Sequence, residues 1–138
     1  MTAAPALEDL RESLERIGPS VPTLELVVLF GSAVAGRHRR DSDVDVGVLC
    51  DGPADLDALF MSLAPVFKSS RLDLVDLRRA GPVLAFEVAR RGVVLFERTP
   101  AVFRCFQSLA SRRYADTKKL RDAQRRALQL YIERASRA

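Results

Sequence analysis

Residues 43–49 read Asp-Val-Asp-Val-Gly-Val-Leu, a β-branched run with the character of a buried strand that opens on two carboxylates at alternate positions. Successive side chains on a strand point to opposite faces, so Asp43, Asp45 and Gly47 share one face while Val44, Val46 and Val48 take the other. Two carboxylates then stand side by side above a glycine. Unpaired carboxylates beside a core are costly, and like charges at that separation raise one pKa unless a cation lies between them. A fold for this chain has to present the strand with its acidic end open to a compensating charge.

The rest of the chain supplies a frame for such a strand. Leu7, Leu10, Leu14 and Ile17 recur at helical spacing until Gly18, Pro19 and Pro22 end the pattern, which predicts an amphipathic helix over Ala6 to Ile17. Leu24 to Phe30 is a short apolar run stopped by Gly31 and reads as the first strand. Asp43 to Leu49 is the second, followed by a turn at Cys50 to Pro53. Leu56, Leu59, Phe60 and Leu63 mark a helix, and Arg71 to Leu77 a third strand. Pro82 to Arg90 reads as a helix closed by Gly92, and Val93 to Glu97 as a fourth strand. Strands alternating with helices predict a mixed α/β (α+β) fold, a small mixed sheet flanked by helices.

From Ala101 onward the pattern is helical, with Phe103, Phe106, Ala110 and Tyr114 on one stripe and Leu120, Ala127, Leu128 and Tyr131 on another. The break at Asp116 and Thr117 either separates two helices or kinks one. Residues 101–138 carry ten Lys or Arg against three acids, net +7, whereas residues 1–100 carry twelve against fifteen, net −3. The expected organisation is therefore one domain over residues 1–100 and a basic amphipathic helical extension over residues 101–138. Three readings of that extension stand: a solvated helix covering the sheet, a docking element for a protein partner, and, last, a nucleic-acid contact. Its aromatic stripe suits packing better than base stacking.

At 138 residues, 48% apolar and 29% charged, the chain has the composition of a folded globular protein. It lacks the apolar run of a membrane span and the basic start of a signal peptide, so a cytoplasmic protein is expected. Cys50 and Cys105 are too few for a disulfide framework or a zinc site, and are read as free thiols.

Compensation for Asp43 and Asp45 is best supplied by Mg²⁺, which accepts one or two carboxylates together with substrate phosphates and keeps its remaining waters. The third strand offers another carboxylate. Asp73 and Asp76 fall on opposite faces, and Asp73, flanked by Leu72 and Leu74, is the one expected to join the pair. Asp76 is assigned to solvent or to capping the next segment, and Asp41 to solvent. Gly31 and Ser32 sit where a strand ends and a helix would begin, so close backbone approach, exposed N–H groups and the Ser32 hydroxyl would form a phosphate cradle. No Lys-Ser/Thr follows Gly36, which excludes a Walker loop, and no GxGxxG is present. Between cradle and carboxylates lie Arg37, His38, Arg39, Arg40 and Ser42; Arg40 is the candidate cation for a β- or γ-phosphate and Ser42 a further contact or turn cap.

Gly31-Ser32, ten intervening residues, Asp43-Val44-Asp45 and the later strand aspartate Asp73 together resemble the signature of the DNA polymerase β-like nucleotidyltransferases. The short length and the run SDVDVGVL resemble the minimal nucleotidyltransferase (MNT) group, over roughly Val21 to Glu97. The resemblance implies a nucleotidyltransferase fold in which Asp43, Asp45 and Asp73 hold two Mg²⁺ ions and act in catalysis, with Gly31, Ser32, Arg40 and Ser42 around the nucleotide. It further implies transfer of AMP from ATP to a hydroxyl. Among minimal members the expected setting is a toxin–antitoxin pair in which the MNT protein modifies a tyrosine of a HEPN ribonuclease. Two alternatives are carried: nucleotidylation of a small molecule such as an aminoglycoside by a homo-oligomer, and a non-catalytic partner-binding module on the same fold.

Overall fold

The computed structural model describes residues 6–31, 34 and 43–137. Within them α1 (Leu7–Ile17) leads through a short 3-10 turn (Gly18–Ser20) into β1 (Leu24–Phe30). There follow β2 (Val44–Cys50), α2 (Leu56–Phe67), β3 (Leu72–Asp76), α3 (Pro82–Arg91), β4 (Val93–Glu97), α4 (Val102–Asp116) and α5 (Lys118–Arg137). The four strands form one sheet in the order β3-β2-β1-β4. β1 is antiparallel to both neighbours, and β2 and β3 are parallel. A parallel pair needs a crossover, and α2 supplies it.

Apart from Glu25, β1 is apolar because both its faces are covered. Leu24, Val27 and Leu29 enter a core layer with Leu10 and Leu14 of α1 and Leu59, Leu63 and Phe67 of α2. Leu26 and Val28 enter the opposite layer with Ala85, Val88 and Ala89 of α3 and Phe106 and Ala110 of α4. On β2, Val46, Val48 and Cys50 join the first layer, and Leu49 packs against the second. By alternation Asp45 and Gly47 face the α3–α4 side. A methyl group on Gly47 would meet Leu77 Cδ2 at 2.8 Å, so the glycine is what lets Leu77 close over the strand.

Local chemistry sets the ends of the helices. Asp55 caps α2, its carboxylate accepting from the Ala58 amide at 3.1 Å. Pro82 starts α3, where its missing N–H is harmless, and Gly92 follows its end. At α4 the Glu97 carboxylate accepts from the Phe103 amide at 2.8 Å. One arginine holds the entry to the sheet: Arg98 donates to the carbonyls of Leu24 (2.7 Å), Gly18 (2.9 Å) and Val21 (2.8 Å) and lies over the Phe96 ring.

The elements follow the sequence expectation closely, with three differences. β2 begins at Val44, which leaves Asp43 just ahead of the strand, and β3 is shorter than the apolar run at both ends. α2 continues through Pro65 to Phe67, a proline that costs one ladder bond yet lets Phe67 bury. At the break in the basic extension two helices meet at Thr117: its N–H donates to the Arg113 carbonyl and Arg121 N–H to that of Thr117, while the Tyr114 carbonyl accepts from the Arg121 guanidinium. The Thr117 hydroxyl also donates to the Arg113 carbonyl, at 2.8 Å, a bond of the kind that bends helices. α4 covers the sheet, as the default reading expected. α5 does not: none of its residues is buried. No helix among the described residues is long and apolar enough to cross a membrane.

Candidate active site

The parallel register of β2 and β3 sets Asp45 directly opposite Asp73. Both face the α3–α4 side, as their neighbours Leu49, Val75 and Leu77 do. The Asp73 carboxylate lies close enough to disfavour a second charge on Asp45. Burial pushes the Asp45 carboxyl above its ordinary range, and the Asp73 and Asp43 charges push it in the same direction. Asp45 is half-buried, whereas Asp43 and Asp73 are exposed. The group that pays the desolvation penalty is thus flanked by two acids that reach solvent.

On its other side β2 pairs with β1, where Phe30 is the partner of Asp45 and Gly31 comes next. Gly31 has φ +78°, in the left-handed region, and a methyl group there would overlap the Asp45 Oδ2 oxygen. Its carbonyl accepts from Val34 N–H at 3.2 Å. Glycine here therefore does two things: it turns the chain out of β1 and leaves room for the carboxylate. The sequence reading gave Gly31 only to phosphate approach. Its contact with Asp45 follows from the antiparallel register, and the abrupt stop of an apolar run at a glycine was its one trace in the sequence.

Of the residues singled out from sequence, the structure gathers Asp45, Asp73 and Gly31, with Asp43 adding its charge from just ahead of β2. Ser32, Arg40 and Ser42 lie outside the described residues, as do Arg37, His38, Arg39 and Asp41. Asp76 belongs to the opposite end of β3: its carboxylate accepts from the Arg78 amide at 3.0 Å, turning the chain toward α3. Cys50 and Cys105 are free thiols, one buried and one exposed. A hollow of about 500 Å³ beside Leu49, Leu77, Cys105 and Arg113 lies farther along the same sheet face and includes none of the three aspartates.

Among the described residues no three acids, histidines or cysteines converge into a ready-made metal cage. A pair of carboxylates with a third beside it, all oxygen donors and mutually repulsive, instead suits a hard divalent cation that completes its shell with water and phosphate oxygens.

The model of the family described as polymerase beta, nucleotidyltransferase, matches residues 12–101, which hold every strand of the sheet and all three aspartates. The chain belongs to that family. This nucleotidyltransferase is 29% identical over 142 residues to the protein adenylyltransferase MntA of Aphanizomenon flos-aquae, covering 94% of this chain and 95% of that one. It superposes with TM-score 0.73 and 29% identity on a chain from a crystal structure of a toxin–antitoxin with AMP-PNP, over 91% of this chain and 99% of that one. A structure of the tri-AMPylated Shewanella oneidensis HEPN toxin in complex with MNT antitoxin gives TM-score 0.70 at 26% identity, covering 90% and 99%.

Proposed function

We propose that this nucleotidyltransferase is a Mg²⁺-dependent protein adenylyltransferase that moves AMP from ATP to a hydroxyl of a HEPN-type toxin in the cytoplasm, and so acts as the antitoxin of a pair. The observation that carries the reading is the Asp45–Asp73 carboxyl pair on the α3–α4 face of the sheet, beside Gly31. Likeness to adenylyltransferases over nearly the whole chain, and to antitoxin chains held with HEPN toxins, supports the choice of nucleotide and acceptor.

Mg²⁺ held by Asp43, Asp45 and Asp73 would neutralise the triphosphate and lower the pKa of the acceptor hydroxyl. The remaining roles fall to the chain itself. Gly31 brings backbone close to the nucleotide, and Ser32, Arg40 and Ser42 are assigned to its phosphates. Asp73, the exposed member of the pair, stands where an incoming tyrosine hydroxyl can be oriented and its proton received. The hydroxyl oxygen attacks the α-phosphorus in line, the bond to the bridging oxygen breaks, and pyrophosphate leaves.

The test is to incubate the full chain with Mg²⁺ and each α-labelled nucleoside triphosphate, with and without a HEPN-type protein, the product of the adjacent gene being the first to try. Label from ATP should become covalent on that protein alone. Label appearing on a small molecule, or neutralisation that survives Asp45→Asn, would favour the small-molecule or binding-module reading instead.

A further inference from the structure

α5 is a 20-residue helix with no buried residue, although it carries Leu120, Leu128, Leu130, Tyr131 and Ile132, each more than half exposed. Most helical stability in proteins comes from burying an apolar face, and α5 buries none. Thr117 alone separates α4 from α5, and in the sequence the spacing that buries Phe106 and Ala110 of α4 can be followed onward. It continues at steps of three and four through Leu120, Gln124, Ala127 or Leu128, and Tyr131. The stripe that packs α4 on the sheet thus continues onto a segment with no sheet beneath it. Seven Lys or Arg against Asp122 and Glu133 give α5 a net charge of +5.

We infer that α5 is a docking helix, whose apolar stripe at Leu120, Ala127, Leu128 and Tyr131 lies in an acid-lined groove of the toxin partner. The inference rests on the partner reading above. Three observations select this occupant. A charge of +5 repels a second α5 and favours an acidic surface. Arg134 flanks the stripe and can answer an acid at its rim, while Leu128 and Tyr131 form its apolar centre. The match to the toxin–antitoxin chain covers 91% of this chain, so a 20-residue helix cannot lie wholly outside it.

The test uses the full chain and the HEPN-type protein that it modifies, comparing wild type with the double variant Leu128→Asp, Tyr131→Asp. Both side chains are largely exposed, so the fold should survive, which circular dichroism checks. Affinity for the toxin should fall about 100-fold, as expected for central interface anchors. KM for the toxin should rise in step, with kcat at saturating toxin and affinity for ATP unchanged. Wild type that modifies the toxin beside a double variant that binds it equally well would overturn the inference and leave the proposed function standing. Wild type that neither binds nor modifies the toxin would remove the proposed function, and the docking role with it. A wild-type dimer by light scattering, made monomeric by the double variant with toxin affinity intact, would assign the stripe to a second copy. RNA affinity lost with toxin affinity intact would assign it to nucleic acid, and either result overturns the inference.

Discussion

Asp45 of β2 and Asp73 of β3 are register partners, and the Asp73 charge beside Asp45 makes it harder for Asp45 to lose its proton. Burial, then Asp73 and Asp43, raise the Asp45 pKa above 3.8, which means that the folded chain binds this proton more tightly than the unfolded chain does. This contribution to stability is therefore lost as pH rises from 3.8 through the raised value. In EDTA the melting temperature should carry a falling component over that interval. Excess Mg²⁺ should remove it by binding the native state, and Asp45→Asn should flatten it in either buffer. Thermal melts across pH in EDTA and in Mg²⁺ check this; a Mg²⁺ response equal in wild type and Asp45→Asn would count against the carboxyl site.

Gly31→Ala places a methyl group against Asp45 Oδ2 at a backbone with φ +78°. The left-handed conformation alone costs a non-glycine residue roughly 1–2 kcal/mol, and relief of the overlap must move the carboxylate. Stability should fall by about that amount, while AMP transfer falls by about 100-fold or more, as on losing one group that stabilises a transition state. Chemical denaturation and initial rates measured side by side separate the two effects.

The two thiols should differ sharply. Burial, and then the charge of Asp76, hold the Cys50 thiol above 9.0, whereas Cys105 is exposed. A maleimide at neutral pH should modify Cys105 quickly and Cys50 only on unfolding. Because the folded pKa is raised, the Cys50 contribution is constant below 9.0 and declines as pH climbs above it. Peptide mapping after a timed pulse, and melts above pH 9, measure the two.

Arg98→Ala removes donors to three backbone carbonyls, those of Leu24, Gly18 and Val21. Hydrogen bonds from a charged group contribute roughly 1.5–3 kcal/mol, and the stranded carbonyls recover part of the loss from water, so about 3 kcal/mol of destabilisation is expected. The midpoint in urea should drop at unchanged slope, with the rate per folded molecule preserved.

The frame was legible because each element advertises its burial. β1 and β4 are found at the predicted residues, since Leu24–Phe30 and Val93–Glu97 are apolar runs closed by turn or polar residues. That only one of Asp73 and Asp76 can share the face of Asp45 followed from alternation, and the choice of Asp73 from its place between Leu72 and Leu74. What alternation could not give was register: that Asp45 stands opposite Asp73 rather than Leu72 or Leu74, and that Gly31 touches Asp45, depend on strand pairing over long sequence separations. Arg98 was equally silent, since a lone arginine after a strand carries no sign of the three carbonyls it will meet. The three readings of the extension stayed open for a related reason: the amphipathic pattern of α5 announces a partner surface without saying that the sheet stops short of it.

The central claim is that the acidic edge of β2 and β3 transfers AMP. Its most direct measurement is the intact mass of the HEPN protein after incubation with ATP, Mg²⁺ and either wild-type chain or Asp45→Asn. Wild type should shift the toxin by whole AMP units on a tyrosine, and Asp45→Asn should leave its mass unchanged. An unshifted mass with wild type, or equal shifts with both proteins, would contradict the account.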